Sequence, residues 1–262
     1  MSGDNPYEPP ESELEPGPES TEGEIMLRSP RAVPAGRGIT WIAEAFGLFK
    51  AFPMPWVTTG LTLFGLSMLS GLIPVAGGVF NTVVTSLVLS GIVLGCAAQE
   101  FGEEYSVNYL FVGFNKPQKI IALSLIYVGV MYTILILVLG PLGRTIVMGK
   151  LDPAVLEQQL EAQSANMLIV IALMLPVFMA TWFAIALITL HGLSVLDAMR
   201  LSFLGSLRNL LPMLLFSVAL GFLFFIAVLP FFLGLLIMYP IMLISTYTAY
   251  RDIFTHEQVG IK

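Results

Sequence analysis

LLPMLLFSVALGFLFFIAVLPFFLGLLIMYPIMLISTYTAY, residues 210–250, runs for forty-one positions without Asp, Glu, Lys, Arg or His. A helix needs about 20 apolar residues to cross the hydrocarbon core of a bilayer. The stretch is therefore long enough for two crossings, 210–229 and 230–250, meeting at Pro230. Moving outward, four more stretches free of charge follow the same pattern: 55–73, 74–97, 120–139 and 167–190. Their apolar runs are continuous and do not alternate, so they predict helices and not barrel strands. The expected fold is all-α: a polytopic membrane helix bundle of about six transmembrane helices.

Composition agrees. The chain of 262 residues is 56% hydrophobic and 11% charged, with a mean hydropathy of +0.84. A soluble domain carries about 25% charged residues, so an ordinary globular protein is excluded. The lone cysteine, Cys96, permits no intrachain disulfide and sits among small residues, where it fits as a packing residue. No apolar stretch precedes residue 39, so no cleaved signal peptide is expected and the first span serves as its own insertion signal.

Basic residues predict the orientation. With a cytoplasmic N-terminus, the inside segments hold Arg28, Arg31, Arg37, Lys50, Lys116, Lys119, Arg200, Arg208, Arg251 and Lys262. The outside segments then hold Arg144 and Lys150, a ratio of ten to two. Both termini are expected in the cytoplasm. Spans one and two turn around Pro74, and five and six around Pro230, with almost no polar loop, so each pair is either two full crossings or one buried hairpin.

Residues 1–36 are different in kind. Eight acidic residues, two arginines and seven prolines give a net charge of 2 − 8 = −6, the whole formal charge of the chain. Such a segment predicts a disordered cytoplasmic tail, either purely solvating or a docking element for a basic protein surface. The transmembrane domain is expected over 37–254, and 255–262 as a short cytoplasmic C-terminal tail.

Two amphipathic helices are predicted on the cytoplasmic side. In Thr40–Phe52, Ile42, Ala45, Phe46, Phe49 and Phe52 recur at helical spacing, with Trp41 at headgroup depth. Near 194–209, Ser194 and Asp197 form a capping box ahead of a stripe of Leu196, Met199, Phe203, Leu207 and Leu210. Each helix leads through proline into a tight pair of spans, which suggests a parallel internal repeat. The outer loop 140–166 contains Asp152-Pro153, a helix-start pattern, and predicts a short surface helix.

Little in the chain suggests catalysis. There are two histidines, His191 and His256, with no second histidine at metal-ligand spacing and no nucleophile or phosphate-loop motif. His191 is placed at the membrane interface. Glu100, Glu103 and Glu104 form a carboxylate cluster that fits a solvated loop better than a cation site. No catalytic residue, cofactor, metal or nucleic-acid partner is expected. In span two, Gly78, Thr82, Ser86 and Ser90 recur every four residues, joined by Gly91 and Gly95. This small-residue stripe predicts close helix packing, within the bundle or in a homo-oligomer, with a pore lining as the alternative. Pro176 and Pro240 are expected to kink spans four and six. Tyr247, Tyr250 and Arg251 are placed in an interfacial belt at the inner face.

Val33-Pro-Ala-Gly-Arg-Gly38, Pro176-Val-Phe-Met-Ala-Thr-Trp182 leading to His191-Gly192, Ser206-Leu-Arg-Asn-Leu-Leu-Pro212 and Tyr250-Arg-Asp-Ile-Phe254 carry a resemblance. Over residues 33–254 the chain resembles an uncharacterised family of proteobacterial six-span inner-membrane proteins. It is more distantly similar to the membrane domain fused to some bacterial glycerophosphodiester phosphodiesterases. The resemblance implies a bacterial inner membrane and supplies no activity or site residues. Two functions fit: a non-catalytic component that binds protein partners or lipids in envelope assembly or regulation, or a permease or channel for a neutral or lipidic solute.

Overall fold

The computed structural model describes residues 25–71, 76–149 and 162–255. Among them the chain is helical: α1 Arg37–Ala51, α2 Pro53–Gly71, α3 Ala76–Glu100, α4 Tyr109–Val112, α5 Gln118–Leu139, α6 Pro141–Val147, α7 Ser164–Trp182, α8 Ala184–His191, α9 Val195–Arg208, α10 Leu210–Val228 and α11 Leu235–Phe254. Four helical stretches are long and apolar enough to cross a membrane: α3 from Gly78, α5, α7 with α8, and α10. The segments expected as spans one and six, α2 and α11, are not among them. The helix predicted after Asp152, residues 1–24, Pro74 and His256 lie outside the described residues.

α2 lies antiparallel along α3. Trp56 donates to Gln99 at one end (3.3 Å), and Ser70 donates to Asn81 at the other (3.0 Å). α2 and α11 approach closely where Gly60 meets the Pro240 ring. The core runs from Trp41 and Trp56 through Ile92, Cys96, Phe183 and Leu187 to Ile244, Tyr250 and Phe254. Large apolar side chains on α7 and α10, such as Leu168, Ile171, Leu214, Phe222 and Phe225, face outward. In a bilayer that outer surface is solvated by lipid.

Several expectations need correction. Span four is not one continuous helix. The Ser202 hydroxyl donates to Met179 O (2.8 Å) and accepts from the Phe183 N–H (3.0 Å). It occupies the place of the direct Phe183–Met179 bond, so α7 ends and α8 begins there. A side chain inserted into the helical ladder is a known cause of such breaks, and it falls beyond Pro176. The helix expected as span six begins at Leu235 and not at Pro230. The turn before it holds Phe231 and Phe232 at φ of +52° and +65°, a left-handed conformation costly for aromatic residues.

After Glu100, residues 101–104 form the exposed loop expected, but the chain turns inward at Tyr105. Tyr105 is buried and stacks on Trp56, ring centroids 3.6 Å apart, and its hydroxyl meets Thr59 at 3.0 Å. α4 then packs on α3, where a Cβ on Gly91 would overlap the Tyr109 carbonyl and one on Gly113 would overlap that of Leu87. Gly95 lies under the rings of Tyr105 and Tyr109.

The amphipathic helices also differ from expectation. α1 buries Trp41, Ile42, Ala45 and Phe49 against α10 and α11, so most of its predicted stripe meets protein, while Phe46 stays exposed. α9 keeps its predicted cap, with Ser194 accepting from the Asp197 N–H. It buries a face rotated from the one predicted: Ala198, Ser202, Gly205 and Ser206 go inside, Met199 and Phe203 are half-buried, and Leu196 and Leu207 are exposed. Small residues and hydroxyls permit the close approach that the Met179 contact and the Phe254 ring over Gly205 require. The order α1-α2-α3 matches α9-α10-α11 in helix lengths of 15 and 19 against 14 and 19 residues for the first two members. The packing does not repeat, because α1 lies on α10 and α11 whereas α9 lies on α7 and α8.

Gly91→Val is expected to destabilise the fold by about 1–3 kcal/mol, the usual cost of overpacking. Gly129→Ala, where a Cβ meets open space, is expected to be neutral or mildly stabilising. Thermal melts of the two variants in detergent check the difference.

Candidate functional site

Two features stand out at and above the end of the bundle that carries Glu100, His191 and Asp252. The first is a closed network of charges. Asp252, with a side chain 1% exposed, accepts from Arg37 Nε (2.6 Å), Trp41 Nε1 (2.8 Å) and the Arg31 guanidinium. Arg37 also pairs with Glu44 at 3.0 Å. Glu44 accepts from Arg251 at 2.6 Å, and Arg251 pairs with Glu100. The Tyr247 hydroxyl donates to Glu100 at 2.8 Å. Three guanidiniums thus face three carboxylates, and the cluster is neutral as a unit. Burial by itself would raise the Asp252 carboxyl, but hydrogen bonds from Trp41, Arg37 and Arg31 outweigh it and hold the group below its ordinary value.

The network pins the N-terminal strap. Arg28 and Arg31 N–H groups bond the carbonyls of Phe254 (2.8 Å) and Ile253 (3.1 Å). Asn209 accepts from Val33 N–H and donates to Arg31 O, both at 2.8 Å, and Arg208 donates to Pro30 O at 2.6 Å. The expected disordered tail therefore does not extend through residue 36, because residues 28–33 are fastened to the body.

The same contacts relocate the predicted interfacial residues. Trp41, Tyr247, Tyr250 and Arg251 are all buried within the protein. They form no lipid-facing belt: Trp41, Tyr247 and Arg251 serve carboxylates, and Tyr250 meets His191. His191 bonds the Tyr250 hydroxyl and is half-buried. Of the carboxylate cluster, Glu100 turns inward to Arg251 and Glu103 accepts from Tyr109 at 2.9 Å. No cluster of potential metal ligands occurs among the described residues.

The second feature is a seam between α3, α5 and α8 that holds two cavities. The deeper one, about 320 Å³, is also walled by α7 and α11. Thr82, Ser86, Ser124, Tyr127, Thr181, Trp182 and Thr246 supply its polar lining. Thr82, Ser124, Thr181 and Thr246 are satisfied by carbonyls of their own helices. The Ser86 hydroxyl, the Tyr127 hydroxyl and the Trp182 indole N–H carry no hydrogen bond among the described residues. Ser86 and Tyr127 lie near the middle of their spans. All three side chains are half-buried and border the cavity, where a bound molecule can reach them.

One turn along the seam lies a wider cavity of about 610 Å³, lined by Ser90, Ile120, Ile188 and Thr189 on its inner side and by Asn115, Lys116, Gln118 and Lys119 at its mouth. The Ser90 and Thr189 hydroxyls bond each other at 2.9 Å at its inner edge. The predicted small-residue stripe thus divides its work. Gly78 lies beside the Tyr132 hydroxyl, Thr82 and Ser86 line the deep cavity, Ser90 lines the wider one, and Gly91 and Gly95 admit the 105–113 segment. The contribution of Tyr127 and Trp182 was not visible in the sequence, because they reach the cavity wall from α5 and α7, whose packing against α3 is a tertiary matter.

No family model matches the chain, and no solved structure matches it. It is similar to a protein of Burkholderia thailandensis described as a probable inner membrane protein, 28% identical over 261 residues that cover 87% of this chain and 94% of that one.

Asp252→Asn is expected to lower stability by about 3 kcal/mol, as for a broken buried pair. Because the folded carboxyl sits below its ordinary value, the wild-type contribution is complete above about pH 4 and is lost as pH falls through the folded value. Melting temperature against pH should drop on acidification in wild type and stay flatter in Asp252→Asn.

Proposed function

We propose that this is a multi-pass inner-membrane protein with no catalytic role of its own, which binds a lipid or lipid-like molecule in the seam between α3, α5 and α8. The single observation that carries the reading is the deep cavity with Ser86, Tyr127 and Trp182 unpaired at its wall. A bound ester, hydroxyl or amide would satisfy those groups while its chain fills the apolar remainder. The similarity to the Burkholderia protein supports the inner-membrane location. Six crossings with both termini cytoplasmic suit the antiparallel pairing of α2 with α3 and the ten-to-two distribution of basic residues. The acidic segment 1–24 would serve as a docking element in envelope assembly or regulation.

A permease for a neutral or lipidic solute is the second reading. It is favoured by the stacking of two cavities on one seam, with the Ser90–Thr189 bond between their linings. Uncharged spans argue against ion-coupled transport. Substrate-dependent flux in liposomes, abolished by bulky replacements at Ser86 or Ser90, would give this reading precedence.

Native mass spectrometry of the purified protein tests lipid binding. Wild type should keep a bound lipid through detergent exchange, and Ser86→Trp should lose it while staying folded. Identical lipid retention by the two, or none in folded wild type, would refute the reading.

A further inference from the structure

The wider cavity has a chemistry that the deep one lacks. Its mouth carries Lys116 and Lys119, both exposed, with Asn115 and Gln118 beside them and no carboxylate in the lining. Lys119 Nζ is held on the Gly192 carbonyl at the end of α8, which fixes one ammonium at the mouth. The first backbone bond of α5 runs from Ile121 N–H to Pro117 O at 2.8 Å. The N–H groups of Gln118, Lys119 and Ile120 precede it, at the positive end of a 22-residue helix with no side-chain cap. The inner wall is apolar, with Ile120 and Ile188, and lies about one turn from the lining of the deep cavity.

We propose that this mouth binds a phosphate-type anion carried on an apolar chain, the headgroup of a membrane phospholipid. The proposal rests on the seam reading and extends it: phosphate at the lysines and the α5 start, chain running inward past Ser90. Two ammonium groups and helix N–H donors match the charge and acceptors of a phosphodiester. The apolar inner wall favours a lipid over a soluble phosphate.

The test uses the full chain in nanodiscs of phosphatidylcholine holding a minor fraction of phosphatidylglycerol, with retained lipids identified by native mass spectrometry. Wild type should retain phosphatidylglycerol preferentially. Lys116→Gln with Lys119→Gln should lower that preference about tenfold or more, given the usual attraction per lysine. Gln118→Glu should also remove it. A carboxylate in the first turn favours the helix, so a loss there is repulsion of the anion and not misfolding. No preference in wild type, or one unchanged in both variants, overturns the site. Displacement of phosphatidylglycerol by inorganic phosphate alone overturns the lipid source. Lipid retained without headgroup preference sinks only this site, whereas no retained lipid in folded wild type sinks the seam reading itself.

Discussion

A carboxylate out of reach of water has to be neutralised by the protein, and much of this architecture follows from doing so for Asp252. Its three partners come from two separate parts of the chain: Arg31 on the strap, and Arg37 and Trp41 on α1. They bring the strap and α1 onto the end of α11. Glu44 on the same helix then takes Arg251, and Arg251 takes Glu100 at the end of α3. Breaking any one member would leave a buried charge exposed to a low-dielectric surrounding, the costly situation for ion pairs. The network therefore joins the first and last described helices to the middle of the bundle.

With that end locked, the seam between α3, α5 and α8 is built on a rigid frame. The inserted Ser202 hydroxyl divides α7 from α8 next to Trp182, which lines the deep cavity. The seam also owes something to glycines 91 and 113, which let the 105–113 segment lie flat on α3 beside the wider cavity. Most polar groups along the seam are absorbed by helical carbonyls. The few left over are the chemically available ones.

The long uncharged runs made a helical membrane protein legible from sequence, because the demand for internal backbone hydrogen bonding in lipid leaves few alternatives. The Ser194 cap was legible for the same local reason. What periodicity could not supply was the partner of each face. Leu196 and Leu207 look like a core stripe, yet the structure buries Ser202 and Gly205 because close approach and a hydroxyl bond to Met179 mattered more than apolar area. Trp41, Tyr247 and Arg251 have the composition of an interfacial belt, and only tertiary contacts reveal that they serve buried acids. Of the candidate site, Thr82, Ser86 and Ser90 were visible as a stripe. Tyr127, Trp182 and the lysine mouth were not, since they reach the seam from other helices.

The central claim is that lipid enters the seam and does not merely coat the outside. A lipid bearing a photoactivatable group on its acyl chain, crosslinked in reconstituted bilayers and mapped by peptide mass spectrometry, addresses it most directly. The account predicts labels concentrated on the α3 and α5 segments around Ser86 and Tyr127, above the level on outward-facing Leu214 and Phe222. Labelling confined to the outer surface of α7 and α10, with none around Ser86 and Tyr127, would contradict it.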